Sequence, residues 1–365
     1  MSVGFGSARL FSLILGAGVL GGVVLPALVA GTPGAAGPGA AVLTLPAEQT
    51  AATVGAADAG QQEAVTLLRR AAAAGNDRTY GGTQFVTSWS GAGATSVVVD
   101  VQHLAGRGVL VRLSSPGDSS AVDNAGAAAL DPRALAVLER HYTLSVSAQD
   151  AQCAQRPARV VVARPIGSSA VAGRFWLDKA TGLVLGRELY DRAGRTIRAA
   201  AFVDLRLSVP QPWTRLARNA ATDQGAPLSA AAVVDLRRDG WRAPARLTGG
   251  AELFDARLHA QVLHLSYTDG LFAISVFSQH GRLNPDSVKG WQHTTLVGTA
   301  AWTRPGLSQR VVWTGGLFVY TAVADAPDSL VSAAVTAFPG VGHDSFAHRI
   351  ARGLRRMGSW VNPTR

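Results

Sequence analysis

The sequence has almost no cysteine: Cys153 is the only one among 365 residues. A single thiol cannot form a disulfide within the chain, so the fold must be stabilised by packing instead of covalent cross-links. We interpret Cys153 as a partly buried free thiol, with a disulfide to another molecule as the alternative.

Motifs of the common enzyme classes are also missing. The chain contains no G-x-S-x-G, H-E-x-x-H or G-x-x-x-x-G-K-[ST] sequence, which would supply a nucleophile, a zinc-binding pair or a phosphate-binding loop. The eight histidines are scattered, and acids such as Asp178 and Glu188 fall at turns or on polar strand faces. We therefore predict no catalytic residue, no metal ligand and no cofactor, and expect that the protein is not an enzyme.

Acidic residues are scarcer than basic ones, at 24 against 34, which gives a formal net charge of +10. Such an excess favours acidic partners: nucleic acid, anionic lipid or an acidic protein surface. The N-terminus disfavours nucleic acid, because Arg9 is followed by an apolar run over 10–30 that is typical of an export signal. The run could span a bilayer, but it ends in small residues that suit signal peptidase. We expect an exported protein of the periplasm or cell envelope, and 1–30 is a cleaved signal peptide or an uncleaved anchor.

Residues 31–60 are rich in Gly, Ala, Pro and Thr and carry almost no charge, which predicts a flexible tether. A first domain is predicted over 61–208. Its expected elements are a helix over 61–74, strands over 97–101 and 109–113, a helix starting at Asp131-Pro132, and a strand over 159–163.

The stretch from Arg174 to Leu205 is the most informative part of the chain. Turn signals at 178–182 and 191–194 divide it into three short segments of strand-like composition. In the last segment Ile197, Ala199, Ala201 and Val203 alternate with Arg198, Ala200, Phe202 and Asp204. A period of two predicts an antiparallel meander with one face turned to an apolar interior.

A linker over 209–230 and a second domain over 231–340 are predicted next. Asp269-Gly270 is the strongest hairpin signal, because a type I′ turn needs positive φ at both central positions. Gly315-Gly316 predicts another tight turn, and 327–338 a helix with Leu330, Val331, Ala334, Val335 and Phe338 as its buried stripe. Both domains are therefore expected to be α+β with antiparallel sheets.

The tail over 341–365 has the pattern of a basic amphipathic helix. Its apolar positions recur every three or four residues: Phe346, Ile350, Leu354, Met357 and Trp360. Arg349, Arg352, Arg355 and Arg356 occupy the remaining surface. We predict that these arginines and Trp360 contact an anionic membrane surface or an acidic partner, with packing on the protein's own domain as the alternative.

Two segments resemble the RseB/MucB family, whose members are exported regulators that bind the outer part of a membrane anti-sigma factor. The residues that fit the pattern closing the family's first domain are Phe175-Trp-Leu-Asp178, Thr181-Gly-Leu183, Leu185, Asp191, Gly194 and Phe202. Leu265 to Phe277 is similar to a hairpin of the family's second domain. The resemblance covers roughly 61–338.

This resemblance implies a LolA/LolB-like first domain, an incomplete antiparallel β-barrel wrapped on helix, and a smaller C-terminal antiparallel sheet with a helix. Trp176, Tyr190 and Phe202 would then line a cavity for acyl chains or a partner segment, and the alternative is that they are ordinary core aromatics, since large aromatics need no ligand to be buried. The implied function is binding of a membrane anti-sigma factor to restrain its proteolysis, which modulates an envelope-stress sigma factor. A lipid or lipoprotein carrier is the alternative, and an envelope enzyme is a third interpretation.

Overall fold

The computed structural model describes residues 53–91, 93–105, 108–113, 132–149, 151–208 and 226–338. The described chain forms two antiparallel sheets accompanied by helices, so the predicted α+β class is confirmed. The predicted export segment, most of the tether, the core of the linker and the basic tail lie outside the described residues. None of the helices among the described residues combines the length and apolar character needed to cross a bilayer.

The first sheet has nine strands and follows helix α1, Thr53–Asp77. Its elements are β1 Tyr80–Ser90, β2 Gly93–Leu104, β3 Gly108–Leu113, α2 Pro132–His141, β4 Tyr142–Val146, β5 Ala151–Cys153, β6 Arg156–Pro165, β7 Gly173–Asp178, β8 Val184–Tyr190 and β9 Thr196–Arg206. The order is β3-β2-β1-β9-β8-β7-β6-β4, with β5 also paired to β6. Strands β3 and β4 stand at the two ends of this path, so the sheet is an incomplete barrel.

The second sheet has seven strands in the order β10-β11-β12-β16-β15-β14-β13. Its elements are α3 Ala230–Arg238, β10 Glu252–His259, β11 Val262–Thr268, β12 Ala273–His280, a short 3-10 helix Pro285–Val288, β13 Gln292–Leu296, β14 Thr299–Arg304, β15 Gln309–Gly315, β16 Phe318–Asp325 and α4 Asp328–Ala337. All five residues of the predicted α4 stripe are buried, which confirms that prediction.

Helix α1 is longer at both ends than the predicted helix over 61–74, and it does not stop at Gly75. A glycine in a helix costs only about 1 kcal/mol relative to alanine. That cost is outweighed by packing, because Leu68 and Ala71 are fully buried in the main core alongside Leu138 and Leu144. Tertiary contacts therefore extend the helix past Gly75, where the sequence predicted its end.

The predicted hairpin at Asp269-Gly270 exists, but its predicted turn type is wrong. Thr268 pairs with Ala273, so the loop has four residues instead of two. Gly270 has φ +91 while Asp269 is not among the residues with positive φ. The Asp269 carboxylate instead accepts hydrogen bonds from the backbone N–H groups of Leu271 and Phe272, at 2.9 and 2.8 Å. This side-chain bonding replaces the backbone geometry that a type I′ turn requires.

Candidate binding surfaces

An apolar row crosses the outer face of the first sheet. Cross-strand partners share a face, and the register links Val160, Trp176, Gly186, Ala201, Phe85 and Val98 in one row over six strands. Helix α1 lies on the opposite face, against the row that contains Val161 and Phe175.

Large apolar side chains of this outer face are exposed on β1, β2 and β9. Phe85 is 48% exposed, Val98 42%, Trp89 40% and Val203 58%. We call Phe85, Trp89, Val98, Val203 and the half-buried Trp176 the outer apolar face. Exposed apolar patches of this kind mark sites of interaction in soluble proteins.

Tyr190 lies on the same side of the sheet as Trp176, within a polar cluster. Its hydroxyl donates a hydrogen bond to Glu188 and accepts one from Arg174 at 3.2 Å. The Arg174 guanidinium also lies over the tyrosine ring, 5.5 Å from its centroid. Burial, followed by the bond to Glu188, raises the pKa of Tyr190 to about 12. The cluster therefore forms a polar rim beside the outer apolar face.

Phe202 lies on the inner side, away from Trp176 and Tyr190. It is buried and meets Tyr80 edge to face, with ring centroids 6.2 Å apart. Together with Val86 and Val99 it belongs to a small core under β1, β2 and β9. The structure thus brings Trp176 and Tyr190 to one face and separates Phe202 from them, and their role in binding stays a prediction.

The inner face of the first sheet is contacted by the tip of the β11–β12 hairpin. A Cβ built on Gly173 would lie 2.7 Å from the Leu271 side chain, so Leu271 fits against β7 only because residue 173 is glycine. A Cβ on Gly270 would lie 2.3 Å from the backbone nitrogen of Leu138 in α2. The hairpin tip therefore occupies space on the concave side, where the family resemblance predicted a cavity.

Polar bonds reinforce this joint between the two sheets. The Tyr142 hydroxyl donates to the Asp269 carboxylate at 2.7 Å, and Arg198 pairs with Asp325 at 2.8 Å. The partly buried Arg187 donates to the Leu271 carbonyl and lies over the Phe175 ring. Burial, with the neighbouring charge of Arg198, lowers the pKa of Arg187 to about 10, which still leaves it protonated at neutral pH.

One serine–histidine cluster lies on the second sheet. The His264 Nε2 atom is 3.0 Å from the Ser275 hydroxyl and 3.1 Å from the Ser266 hydroxyl, and its ring stacks on Phe277. Burial lowers the pKa of His264 to about 4. The nearby Asp255 carboxylate accepts a hydrogen bond from the Nε–H of Arg257 at 2.6 Å, so its charge is paired with that arginine. No group of three His, Cys, Asp or Glu residues in the described ranges is arranged to hold a metal ion.

Sequence reasoning did not identify Phe85, Trp89 and Val98 as surface residues. Strand β1 has large apolar side chains at adjacent positions, Phe85 and Val86, so the period of two does not distinguish its faces. Only the pairing of β1 with β2 and β9 assigns Val86 to the core and Phe85 to solvent.

The family comparison finds the MucB/RseB N-terminal domain. Residues 118–224 match the model of that domain, so the resemblance predicted from the meander is confirmed there. No curated protein matches this sequence.

Solved structures of low sequence identity are similar to between 45% and 77% of this chain. A crystal structure of MucB is 20% identical, covers 76% of this chain and 98% of its own, and has a TM-score of 0.43. The MucA/MucB complex of Pseudomonas aeruginosa is 20% identical, with 77% of this chain and 100% of that chain covered and a TM-score of 0.38. A putative lipoprotein-sorting domain from Vibrio parahaemolyticus is 13% identical, covers 45% of this chain and 99% of its own, and has a TM-score of 0.25.

Proposed function

Because residues 118–224 match the MucB/RseB N-terminal domain, we propose that this chain is an exported binding protein for the extracytoplasmic part of a membrane anti-sigma factor. By holding that segment, the protein restrains its proteolysis and so modulates an envelope-stress sigma factor. The family match is the single observation that carries this proposal.

The outer apolar face is the proposed contact surface for the partner. A contiguous exposed apolar patch is typical of an interaction site, and tryptophan is enriched in binding hot spots. Trp176 lies within this face and Tyr190 at its polar rim, so both are proposed contacts, whereas the buried Phe202 would support the sheet from beneath. A partner segment with a continuous apolar side fits this arrangement.

The basic tail is the second proposed contact. Arg349, Arg352, Arg355 and Arg356, with Trp360, would bind an acidic part of the partner or the anionic membrane surface beside it. Each arginine close to an anionic lipid surface contributes on the order of 1 kcal/mol, and salt screens that attraction.

Co-purification from solubilised membranes tests the partner. We expect a tagged chain to enrich a transmembrane anti-sigma factor, and the purified chain to slow cleavage of that factor's outer segment by its protease. If no anti-sigma factor is enriched, the proposed function fails. If one is enriched and cleavage proceeds at the same rate, only the restraint of proteolysis fails.

A paired substitution tests the contact surface. Phe85→Ser with Val203→Ser removes two exposed apolar side chains, and we expect the partner's Kd to rise tenfold or more, since losing one hot-spot side chain costs about 2 kcal/mol. Leu317→Ser is the matched control, because Leu317 is 73% exposed in the β15–β16 turn of the other sheet. Equal binding by both variants would remove the outer apolar face from the proposal.

A lipid or lipoprotein carrier is the second candidate, favoured by the open, helix-filled barrel of the first sheet. The hairpin tip on the concave side reduces the room for an acyl chain there. Native mass spectrometry separates the two functions, since a carrier retains bound lipid through purification and a pure protein-binding module does not.

A further inference from the structure

One edge of the second sheet is strand β13. Gln292–Leu296 pairs with β14, and no other strand among the described residues lies beside it. The hairpin that joins β13 to β14 closes with the pair of Leu296 and Thr299 around a two-residue turn. The closing pair of such a hairpin exchanges both of its backbone hydrogen bonds, and the direction of bonding alternates along a strand. His293 and Thr295 therefore point their N–H and C=O groups to the free edge.

This edge lacks the features that keep exposed strands from pairing. Residues 290–303 contain no aspartate, glutamate, lysine, arginine or proline. The register between β13 and β14 also continues without a bulge. Charges, proline and bulges are the means by which soluble proteins stop an edge strand from pairing with another chain. Strand β13 is therefore open to the addition of a further strand.

Two other sheet edges of the described chain are protected. Strand β10, at the opposite edge of the same sheet, carries Asp255 and Arg257, and Arg257 also forms a bridge with Pro227. At β4, the end of the first sheet, the backbone N–H of Leu144 donates to the Gln61 side chain of helix α1. Charge and covering segments thus protect β10 and β4, and neither protects β13.

Val297, at the tip of the β13–β14 hairpin, combines backbone strain with an exposed apolar side chain. Its φ is +50, in the left-handed region where a β-branched residue is an outlier. Its side chain is 52% exposed, so the strain is not offset by burial within one chain. Asparagine or glycine is the usual residue in such a turn. Strain of this kind persists mainly where a residue has a function, and contact with another molecule would give Val297 one.

We propose that β13 pairs with the β13 strand of a second copy of the chain, antiparallel and centred on Thr294. In this two-fold register His293 of one copy lies opposite Thr295 of the other, so the free backbone groups of both strands form hydrogen bonds. Val297 of one copy then comes beside the half-buried Trp291 of the other, at both ends of the pair.

A second copy suits this edge better than an acidic partner does. The chain has a formal net charge of +10, so its charged surface attracts acids and repels another copy. The uncharged edge offers nothing to an acidic partner, and it meets an identical edge without like-charge repulsion. Five residues a side bury less area than the roughly 1,600 Å² of a standard interface, so the association is weak and reversible.

Sedimentation velocity on a dilution series of the full chain, in a density-matched non-ionic detergent, tests the pairing. We expect a reversible equilibrium between monomer and dimer. A monomer at every concentration overturns the proposal and leaves the edge to a segment of another protein. Species larger than a dimer overturn the two-fold register. The edge belongs to the other sheet from the outer apolar face, so either failure leaves the proposed function standing.

A charge swap at two exposed positions identifies the edge as the interface. His293→Lys with Thr295→Lys places lysines opposite each other across the two-fold axis, and His293→Glu with Thr295→Glu does the same with acids. We expect the dimer Kd of each variant alone to rise tenfold or more, because like charges then face each other. An equal mixture of the two variants should associate at least as tightly as the wild type, since opposite charges then face each other.

His259→Lys with Gln261→Lys is the matched control. Both positions are exposed, they lie two residues apart at the opposite side of the same sheet, and they add the same charge. We expect this variant to dimerise like the wild type, and urea unfolding verifies the fold of every variant. Unchanged dimerisation of the two β13 variants, or no recovery when they are mixed, contradicts the proposed register.

Val297→Asn separates a contact with the second copy from a structural role. Asparagine tolerates positive φ better than valine, so the monomer should unfold at the same or a higher urea concentration. The dimer Kd should nevertheless rise threefold or more, because the apolar contact with Trp291 is lost. A less stable monomer with an unchanged Kd contradicts the assigned contact.

Discussion

At the scale of single residues, His264 shows how burial changes a titration. The unfolded chain protonates this histidine near pH 6.5, whereas the folded chain does so only near pH 4. Between these values the unfolded state binds more protons, so stability is lost as the pH falls from 6.5 towards 4. His264 thus stabilises the fold only while it is neutral.

We expect His264→Gln to remove this part of the acid sensitivity. Between pH 7.5 and 4.5 the wild type should lose about 2.5 kcal/mol more unfolding free energy than the variant, because one pKa unit corresponds to about 1.4 kcal/mol. Urea unfolding at pH 7.5 and at pH 4.5 measures this loss of unfolding free energy. His259→Gln is the control, because His259 lies at an exposed strand end. Equal losses in wild type and His264→Gln would show that the histidine is not buried in this way.

Gly270 is a residue whose requirement is steric. Its φ is +91, and a Cβ at this position would lie 2.3 Å from the Leu138 nitrogen, which leaves no room for alanine. We expect Gly270→Ala to lower the free energy of unfolding by about 3 kcal/mol or more, the range of strained and overpacked substitutions.

Gly316→Ala is the matched control for that substitution. Gly316 also has positive φ, at +63, but no atom of the described residues lies within 4 Å of the added Cβ. Its expected cost is about 1 to 2 kcal/mol, which comes from backbone strain alone. Chemical denaturation of both proteins measures the difference. Equal costs would mean that the hairpin tip does not contact α2.

At the scale of elements, the β7–β8 turn depends on one buried carboxylate. Breaking a buried ion pair leaves a charge unpaired and costs about 3 to 5 kcal/mol. We expect Asp178→Asn to cost about 3 kcal/mol, since the amide keeps part of the hydrogen bonding to Arg156 and Thr181. Thermal and urea unfolding measure it. Asp235→Asn changes an exposed ion pair with Arg238, so its free energy of unfolding should stay within about 0.5 kcal/mol of the wild-type value. A similar loss of stability in Asp178→Asn and Asp235→Asn would contradict the dependence of the turn on Asp178.

Strands and helices differ in how far the sequence specified them. The meander of β7, β8 and β9 was predicted because its turns carry Asp and Gly at fixed spacing. The two-residue turns at Ala154-Gln155 and Ala260-Gln261 were not, since their positive φ values fall on residues that give no turn signal. Helix α3 was also missed, because its nine residues are too short for a clear periodicity.

At the scale of the whole molecule, one core joins the two sheets. A continuous cluster of buried residues includes Leu68 of α1, Phe175 of the first sheet, and Leu271 and Trp313 of the second. The bonds from Tyr142 to Asp269 and from Arg198 to Asp325 lie at the same joint. The two sheets therefore stabilise each other.

We expect both sheets to unfold in one transition. Calorimetry of the full chain should give a calorimetric enthalpy equal to the van't Hoff enthalpy, as two-state unfolding requires. Tyr142→Phe, which removes one bond of the joint, should lower the midpoint without splitting the transition, at a cost of about 1 kcal/mol. Two separate transitions in the wild type would show that the domains are independent.

The sequence by itself determined the fold class, the meander and its family resemblance, because strand periodicity and turn residues are local properties. It did not determine which face of a strand is inside: Phe202 and Arg198 face the interior, while Val203 is exposed. It also gave no indication that the hairpin tip of one sheet contacts the concave side of the other. These features were decided by tertiary structure alone, because they depend on register and on contacts between residues that lie far apart in the chain.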